Sequence, residues 1–419
     1  MQLLYNVLIY LAAPVALLMH LWRGLRDPSY RERLGERFGF GTQLSGPIIW
    51  IHAVSVGEMQ AAAPLVQQLL ARHPHHRLLL TTVTPTGAAR GRQLFRDRVE
   101  LRYVPFDLPG SVRRFFDRVQ PRLAMILETE LWPNLYAECG RRGVPLVLAS
   151  ARMSPRSVGR YRRLVPLFRQ ALSHGIVIAA QSETDAERFR SIGAAAERTH
   201  VTGNIKFDFQ PPPDVEARGR RWREQNAPGR PIWVAGSTHE GEEAIVLDAH
   251  RRVLERFPDT LLLLVPRHPQ RFDSVRELLA KREEASANRS SGTAIAPATN
   301  VMLGDTMGEL MMFYAAADVA FVAGSLVPIG GHNLLEPASL GRPVLTGPHN
   351  FNSEEIAQLL LDAGAARIVA DTAALARSVV DLLGSAERRT SMGAAGKAVL
   401  DANRGALDRL LTLVDPLLA

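Results

Sequence analysis

Short apolar runs rich in Val, Ile and Leu recur along this chain, and their spacing limits its fold more than any other feature. In the first half they lie roughly 20 to 30 residues apart with helical sequence between them, as strand–helix units of a parallel sheet require. Each run is almost continuously apolar, so its strand is expected to be buried on both faces. We therefore predict an α/β fold, with strands at residues 49–54, 77–83, 101–106, 122–127, 144–150, 176–181, 231–237, 261–267, 300–305, 317–325, 342–347 and 366–371.

A proline-rich polar stretch at residues 209–231 separates two sets of six runs. The chain has 419 residues, which exceeds the size at which a single hydrophobic core stops growing. Two Rossmann-like domains are therefore expected. The predicted segments are an N-terminal anchor at 1–22, a first domain at 23–210, a linker at 211–230, a second domain at 231–400 and a C-terminal helix at 401–419.

The first 22 residues carry no charged side chain and are apolar apart from Gln2, Asn6 and His20. About 20 apolar residues suffice to cross a bilayer. Five arginines follow within residues 23–37, and the positive-inside rule places that side of the segment in the cytoplasm. We predict a membrane anchor over residues 1–22, the alternative being a core helix of a soluble domain.

The basic charge of the chain is concentrated in its first half. Residues 1–210 hold 28 Lys and Arg against 16 Asp and Glu, a net +12, whereas residues 211–419 hold 22 against 26, a net −4. This asymmetry indicates an anionic partner, which is an acidic lipid, a phosphorylated substrate or nucleic acid. Nucleic acid is the least favoured, because no zinc knuckle, basic heptad helix or RNA-binding aromatic signature is present.

Cysteine and histidine patterns give no sign of a disulfide or a metal site. Cys139 is the only cysteine, so no intrachain disulfide can form, and a core position is expected for it. His73, His75 and His76 lie in a connection between a helix and a strand, with no HExxH or CxxC motif to support them as ligands. No metal site is predicted.

Candidate catalytic groups of the first domain follow its strands, where parallel sheets bind ligands. Glu58 lies at a strand-to-helix turn, the right place for a general base, although a first-turn glutamate favoured by the helix dipole is the simpler interpretation. Glu128 and Glu130 follow the fourth strand, and Lys206, one of three lysines, follows the last. A basic segment at residues 152–169 is interpreted as an anion-binding groove, or alternatively as a solvated helix face.

In the second domain a glycine-rich loop precedes a predicted helix that opens at His332 and Asn333. Backbone N–H groups at such a turn can donate hydrogen bonds to a phosphate, and the Glu336 carboxylate can accept hydrogen bonds from sugar hydroxyls. Arg267 follows another strand, and its planar guanidinium group can donate two parallel hydrogen bonds to a phosphate. The alternative is an ordinary strand–turn–helix connection with Asn333 as its cap.

Nine motifs along nearly the whole chain resemble, in order, those of the bacterial 3-deoxy-D-manno-octulosonic acid (Kdo) transferases of lipopolysaccharide biosynthesis. The motifs are HAVSVGE (52–58), ETELWPN (128–134), ASARMS (149–154), GNIKFD (203–208), GSTHEGEE (236–243), VPRHPQRF (265–272), GDTMGEL (304–310), GGHNLLEPA (330–338) and GPHNFN (347–352). The resemblance implies the GT-B architecture, in which two Rossmann-like domains face an interdomain cleft. It also implies an N-terminal membrane-anchor helix.

The resemblance implies an inverting enzyme that transfers Kdo from CMP-Kdo to the anionic lipid A precursor, lipid IVA, at the membrane surface. The catalytic domains would lie on the cytoplasmic side of the inner membrane, with acceptor binding in the first domain and no cofactor. Glu58 corresponds to the family's general base, and Glu128 and Lys206 to residues of the transition state. CMP binding would fall to Pro266, Arg267, Met307, Gly308, Glu309, Asn333, Leu334, Leu335 and Glu336.

Two other functions remain open at this point. One is a GT-B transferase that uses a UDP-sugar in envelope precursor synthesis. The other is a catalytically inactive, membrane-tethered protein that binds a sugar nucleotide. Competition between CMP and UDP separates the first from Kdo transfer, and product formation separates the second.

Overall fold

The computed structural model describes residues 2–128, 130–154, 158–159, 165–172, 175–292 and 295–418. The chain forms two compact units, Met1–Asp208 with Asn403–Ala419 and Phe209–Ala402. The second unit is therefore an insertion, because the chain returns to the first unit at its C-terminus. Asp208, the last residue before the insertion, accepts hydrogen bonds from Gly405 N and Leu407 N, each at 2.6 Å.

The first unit is built on a seven-stranded, all-parallel sheet in the order β3-β2-β1-β4-β5-β6-β7. The six apolar runs predicted here all form strands, and a short seventh follows them. The strands are β1 Ile48–His52, β2 Arg77–Thr82, β3 Glu100–Tyr103, β4 Pro121–Leu127, β5 Leu146–Ala151, β6 Val177–Ala180 and β7 Thr199–Val201. Successive β1 residues alternate between two buried clusters, so both faces of the sheet are covered.

Helices connect the strands of the first unit, and the Ala63–Arg72 helix shows how proline shapes them. Pro64 lies at the start of this helix, after a break at Ala62, because proline is tolerated only in a first turn. The final helix, Ala406–Val414, buries Leu407, Leu410 and Leu411 against the sheet. The α-helices are Gln2–Arg26, Leu34–Arg37, Val56–Ala61, Ala63–Arg72, Pro85–Phe95, Pro109–Val119, Pro133–Arg142, Val165–Leu172, Glu183–Ser191 and Ala406–Val414.

The second unit repeats this arrangement with an all-parallel sheet in the order β10-β11-β9-β8-β12-β13-β14. Its six predicted strands are all present. A further edge strand, β10, lies in a polar stretch that was not among the predicted strands. The strands are β8 Ile232–Thr238, β9 Leu261–Pro266, β10 Ser286–Asn288, β11 Val301–Leu303, β12 Val319–Val322, β13 Val344–Thr346 and β14 Ala366–Ile368.

Residues 211–230, predicted as a linker, contain the helix Val215–Asn226 and belong to the second unit. Trp222 packs edge-on against Phe313 at 5.7 Å between ring centroids, and Arg223 pairs with Asp318 at 2.9 Å. The remaining α-helices of this unit are Glu242–Arg256, Phe272–Lys281, Leu310–Ala316, Leu335–Ser339, Glu354–Asp362, Thr372–Leu383 and Ala386–Asn403.

Each sheet has a central point that separates the strands formed earlier in the chain from those formed later. In the first sheet this point lies between β1 and β4, and in the second between β8 and β12. Open parallel sheets bind ligands beyond the carboxyl ends of the strands at such points. Glu58 and Glu128 follow the first pair of strands, and the GSTHEGEE segment and the glycine loop follow the second pair. The candidate residues of each unit are thus gathered at its switch point.

Candidate functional site

Glu58 lies in the first turn of the helix Val56–Ala61, directly after β1. Ser55 caps this helix, with its Oγ accepting from the backbone N of Glu58 at 3.3 Å. The Glu58 carboxylate in turn accepts from Val54 N at 2.8 Å and from the Ser55 hydroxyl at 3.1 Å. This arrangement resembles a capping box, and it fixes the carboxylate beside the end of β1.

Two further carboxylates follow β4. Glu128 takes a left-handed conformation, with φ of 56°, so the chain turns at the strand end instead of continuing as a strand. Glu130 accepts a hydrogen bond from Trp132 Nε1 at 2.6 Å, and its carbonyl accepts one from the Tyr136 hydroxyl. Left-handed backbone in a residue other than glycine is uncommon and concentrates at functional sites.

The electrostatics of Glu58 set it apart from the neighbouring carboxylates. Burial, and then the charge of Glu128, raise the pKa of Glu58 to about 7, against smaller opposing effects of its hydrogen bonds. Burial also raises the pKa of Glu130, with the Trp132 hydrogen bond acting in the other direction. A carboxyl group whose pKa lies near neutral pH can both accept and hold a proton, which is what a general base needs.

Lys206 brings a positive charge to this cluster. Its Nζ lies 2.6 Å from Glu128 Oε1, and both side chains are about one-fifth exposed. The backbone N of Lys206 donates to Asn204 Oδ1 at 3.0 Å, and Asn204 Nδ2 donates to Gln181 Oε1 at 3.1 Å. Gln181 Nε2 donates to the carbonyl of Ser150 at 2.9 Å, so a buried polar chain fixes the position of the lysine.

The basic segment interpreted as an anion groove falls mostly outside the described residues. Arg156, Arg160, Arg162 and Arg163 lie outside them. Arg188, which sequence reasoning did not single out, donates to the carbonyl of Met153 at 2.8 Å.

In the second unit the switch point gathers imidazole and guanidinium groups. His239, after β8, and His332, after β12, stack at 5.1 Å between ring centroids, with their Nε2 atoms 2.9 Å apart. His268 meets His239 edge-on at 5.4 Å. Burial and the charge of Arg267 lower the pKa of His332 to about 3. Burial, His268 and Arg267 lower the pKa of His239 to about 4. Both imidazoles are therefore neutral at pH 7.

Arg267 is the cationic group of this cluster that is free to bind an anion. Its backbone N donates to Thr238 O at 3.0 Å, which holds it beside β8. Within the part of the chain that the structure describes, its guanidinium has no hydrogen-bond or ion-pair partner. Arg271, by contrast, is paired with Glu243 at 3.0 Å.

The first part of the glycine loop is held by a buried carboxylate. The fully buried Glu242 carboxylate accepts from Gly324 N at 2.8 Å, Ser325 N at 3.0 Å and Leu326 N at 2.9 Å. It also accepts from His239 N at 3.0 Å. An internal carboxylate thus already occupies the donors of Gly324, Ser325 and Leu326, and Gly331 N donates to the carbonyl of Gly324 at 2.8 Å.

The helix after the loop differs from the prediction. It begins at Leu335, not at His332, and spans only Leu335–Ser339. Asn333 precedes it, with Oδ1 accepting from Leu335 N at 3.2 Å and Nδ2 donating to Glu336 Oε1 at 3.3 Å. Leu334 and Leu335 are buried and pack the segment into the core. So short a helix has little dipole, and the contribution of this segment lies in its side chains.

The remaining predicted donor residues follow the other strands of the second sheet. Pro266 ends β9 and is buried. Met307 and Gly308 lie after β11, with Met307 53% exposed and Gly308 in a left-handed turn. Arg289 forms a two-point ion pair with Glu309, at 3.1 and 2.8 Å.

Sequence reasoning missed Glu242, His239 and His332 as a connected set. Each lies in a quoted motif, but a sequence does not reveal which motifs meet at a switch point. The sequence did contain a signal for Glu242. The GSTHEGEE motif holds three glutamates, which is more than the first turn of one helix needs for its cap.

Two parallel-sheet units of this kind define the GT-B class. UDP-GlcNAc 2-epimerase from Neisseria meningitidis shares the fold at 14% identity, with a TM-score of 0.58 over 87% of this chain and 100% of that chain. The family model for 3-deoxy-D-manno-octulosonic-acid transferase matches residues 32–209.

Two curated relatives match over nearly their full length. A 3-deoxy-D-manno-octulosonic acid transferase from Haemophilus influenzae is 44% identical over 99% of this chain and 98% of its own. One from Bordetella pertussis is 40% identical over 94% of each chain. The chain belongs to the Kdo transferase family and is therefore a glycosyltransferase.

One helix of the described chain, Gln2–Leu25, is long and apolar enough to cross a membrane. The structure extends the predicted anchor by a turn, through Arg26. Its length and composition fit association with a membrane.

Proposed function

We propose that this protein is an inverting transferase that moves Kdo from CMP-Kdo to the phosphorylated lipid A precursor, lipid IVA, with Glu58 as general base. Membership of the Kdo transferase family supports the transferred sugar. The observation that carries the catalytic assignment is the fixed, partly buried Glu58 carboxylate with a pKa of about 7, beside a second carboxylate paired to a lysine.

In this mechanism an acceptor hydroxyl attacks the anomeric carbon of Kdo. The new carbon–oxygen bond forms as the bond to the CMP phosphate breaks, and the electron pair leaves on the phosphate oxygen. Glu58 takes the hydroxyl proton, because the pKa of an alcohol is far above neutral and free ionisation is negligible. A single displacement of this kind inverts the anomeric centre.

Glu128 and Lys206 serve the transition state. Negative charge develops on oxygen atoms in the transition state, and the lysine supplies a positive charge that stabilises it. The interaction is stronger because the site is partly shielded from water. The ion pair with Glu128 and the bond to Asn204 hold it in place before substrate arrives. Such preorganisation avoids reorientation during the reaction.

The second unit would bind the donor. Arg267 would pair with an anionic group of CMP-Kdo, and Asn333 and Glu336 would hold its sugar hydroxyls. Pro266, Leu334 and Leu335 would shape the pocket, with Met307, Gly308 and Glu309 along its rim. No metal or other cofactor is required in this scheme, so transfer should continue in the presence of a chelator.

Residues 1–22 would keep the enzyme on the cytoplasmic side of the inner membrane, where a lipid acceptor is available. The +12 charge of residues 1–210 suits the phosphates of that acceptor and of acidic lipids.

The test is incubation of the full chain with CMP-Kdo and a tetraacylated, bisphosphorylated disaccharide lipid, with product masses recorded by mass spectrometry. A mass gain of one or more Kdo residues is expected, and NMR of the product reports the anomeric configuration. Parallel reactions with UDP-sugars serve as the control. Transfer from a UDP-sugar but not from CMP-Kdo would overturn the proposal, as would retained configuration.

A further inference from the structure

We propose that a cavity between the N-terminal helix and the body of the first unit binds one acyl chain of the acceptor lipid. This inference rests on the proposed function, since it names the part of a lipid acceptor that the first unit recognises. It adds a binding site remote in sequence from the Glu58 motif.

The N-terminal helix lies along its own domain and is held at both ends. Near its start, Gln2 Nε2 donates to Asn134 Oδ1 at 2.7 Å and the Tyr5 hydroxyl donates to Asp107 Oδ2 at 2.8 Å. Near its end, His20 Nε2 lies 2.7 Å from the carbonyl of Tyr30. The partly buried residues recur at helical spacing, so one face is turned to the domain: Gln2, Tyr5, Asn6, Ile9, Ala13, Leu17 and His20.

Between these attachments the helix stands away from the domain and leaves a cavity of about 760 Å³. On the helix its lining extends from Tyr5 to Leu17 and includes small residues such as Ala13. Phe106 and Trp132 form much of the opposite wall. Twelve residues of helix measure about 18 Å. One leaflet of a bilayer has roughly 15 Å of hydrocarbon, so the cavity matches the length of a lipid chain.

Two carboxylates border the cavity, and both already hold hydrogen bonds. Both Asp107 oxygens are engaged, by Tyr5 and by the backbone N atoms of Asn134 and Leu135. Glu130 accepts from Trp132. A polar ligand would have to compete with these hydrogen bonds, whereas an apolar chain needs no such partner.

The outer face of the same helix is apolar and exposed. Leu3, Leu11 and Leu18 are 79%, 71% and 66% exposed, which suits contact with lipid and not with water. A helix attached to its domain at both ends and apolar outside would lie in the membrane surface. The cavity then opens from the phase in which lipid chains reside.

The cavity also adjoins the candidate catalytic cluster. Glu130 and Trp132 line it, and the charge of Glu130 contributes to the raised pKa of Glu58. The ring of Trp132 also lies edge-on to His52 of β1 at 5.9 Å. A chain seated here would hold the sugar end of its lipid beside Glu58, which makes the cavity a positioning site for the acceptor.

The first experiment fills the cavity and compares two acceptors. Ala13→Trp places a large ring inside, and Leu11→Trp places the same ring on the exposed outer face as the matched control. KM is measured for the tetraacylated disaccharide bisphosphate and for its deacylated form. Ala13→Trp should raise KM at least tenfold for the acylated acceptor alone, with Leu11→Trp unchanged. Equal effects on both acceptors, or none, would overturn the inference.

Ala16→Leu is the milder second variant if Ala13→Trp fails to fold. It should raise the acylated KM less, again without affecting the deacylated acceptor, and an unchanged ratio of the two KM values counts against the cavity.

The second experiment does not depend on turnover. The acylated disaccharide carrying a diazirine on one chain is photolysed with the full protein, and cross-linked peptides are sequenced. Labels at Phe106 or Trp132 are expected, whereas labels confined to the outer face at Leu11 and Leu18 would exclude the site. Labelling of the cavity without Kdo transfer would sink the proposed function and leave the chain site standing.

Discussion

The two sheets have the same strand order around their switch points, yet they carry opposite chemistry there. After β1 and β4 stand three carboxylates, joined by Lys206 from beyond β7, and the pKa of Glu58 rises to about 7. After β8 and β12 stand His239 and His332, joined by Arg267 and His268 from the end of β9, while the Glu242 carboxylate is engaged by backbone donors. One framework thus presents a cluster of carboxylates in one unit and a cluster of imidazole and guanidinium groups in the other. Strand order places a site, and only the side chains define what it does.

The contrast arises because the glutamates of the two units have different hydrogen-bond and ion-pair partners. Glu242 receives four backbone hydrogen bonds and Glu243 is paired with Arg271, so both carboxylates are engaged in structural contacts. Glu58 receives only two hydrogen bonds and faces a like charge, so its negative form is poorly stabilised. A glutamate left under-stabilised in this way is available to take a proton.

The largest expected effect is the loss of turnover when Glu58 of the first unit is replaced. Glu58→Gln should lower kcat about 10³-fold, because the amide cannot accept the hydroxyl proton. The dissociation constant of CMP should stay within about twofold by calorimetry, since its proposed receptor lies in the other unit. Glu183→Gln, also in a first helical turn and exposed, is the control. Near-normal turnover of Glu58→Gln would remove the base assignment.

The second largest expected effect is a higher KM for the donor when Arg267 of the basic cluster is replaced. Arg267→Ala should raise KM for CMP-Kdo about 10- to 100-fold by losing a charge-assisted hydrogen bond, with a smaller change in kcat. Arg256→Ala, an exposed arginine at a helix end, serves as control.

A bound anion also raises the pKa of His239 and His332 from about 4 and 3, so donor binding should strengthen as pH falls. Donor affinity that stays constant as the pH falls from 7 to 4 would contradict proton uptake by this pair.

The third effect tests the structural role of Glu242. In Glu242→Gln one oxygen becomes an NH₂ group that faces backbone donors, which should lower the free energy of unfolding of the second unit by about 2 kcal/mol. Hydrogen exchange at Ser325 and Leu326 should accelerate in the same variant. Glu240→Gln, in the same motif with a 92% exposed side chain, should change neither quantity. Unaltered exchange in Glu242→Gln would show that the loop does not depend on this carboxylate.

The smallest effect separates burial from charge as causes of the raised pKa. The acidic limb of kcat/KM should lie near pH 7 in the native enzyme, with activity lost below it as Glu58 becomes protonated. Glu128→Gln removes the neighbouring negative charge. In this variant the acidic limb of the remaining kcat/KM should therefore move to lower pH, by less than about one unit. The converse shift, to higher pH, is incompatible with the assignment.

Much of this fold follows from sequence because its strands are buried on both faces. Continuous apolar runs such as Ile48–His52 and Leu261–Pro266 identify themselves by composition, and the break before Pro64 follows from the chemistry of proline. The edge strand Ser286–Asn288 does not, because its residues are polar and its pairing with β11 depends on tertiary context.

The site was harder to predict, for a different reason. Position after a strand identified Glu58, Glu128 and Lys206, and the structure brings all three together. Their assigned roles stay predictions. Sequence could not show that Glu242 occupies the glycine loop, because that contact joins residues more than 80 positions apart. Long-range partners of this kind decide whether a backbone donor is free.

The return of the chain to the first unit has a consequence for the order of its synthesis. Residues 209–402 leave the ribosome as one uninterrupted piece, with every strand of the second sheet present. The first sheet, although made earlier, must wait for Leu407, Leu410 and Leu411, which complete one of its apolar clusters. Asp208 likewise meets Gly405 and Leu407 only after the whole second unit has been translated. The unit that is translated first is therefore the last to be finished, and loss of the final helix would damage the half of the protein that begins the chain.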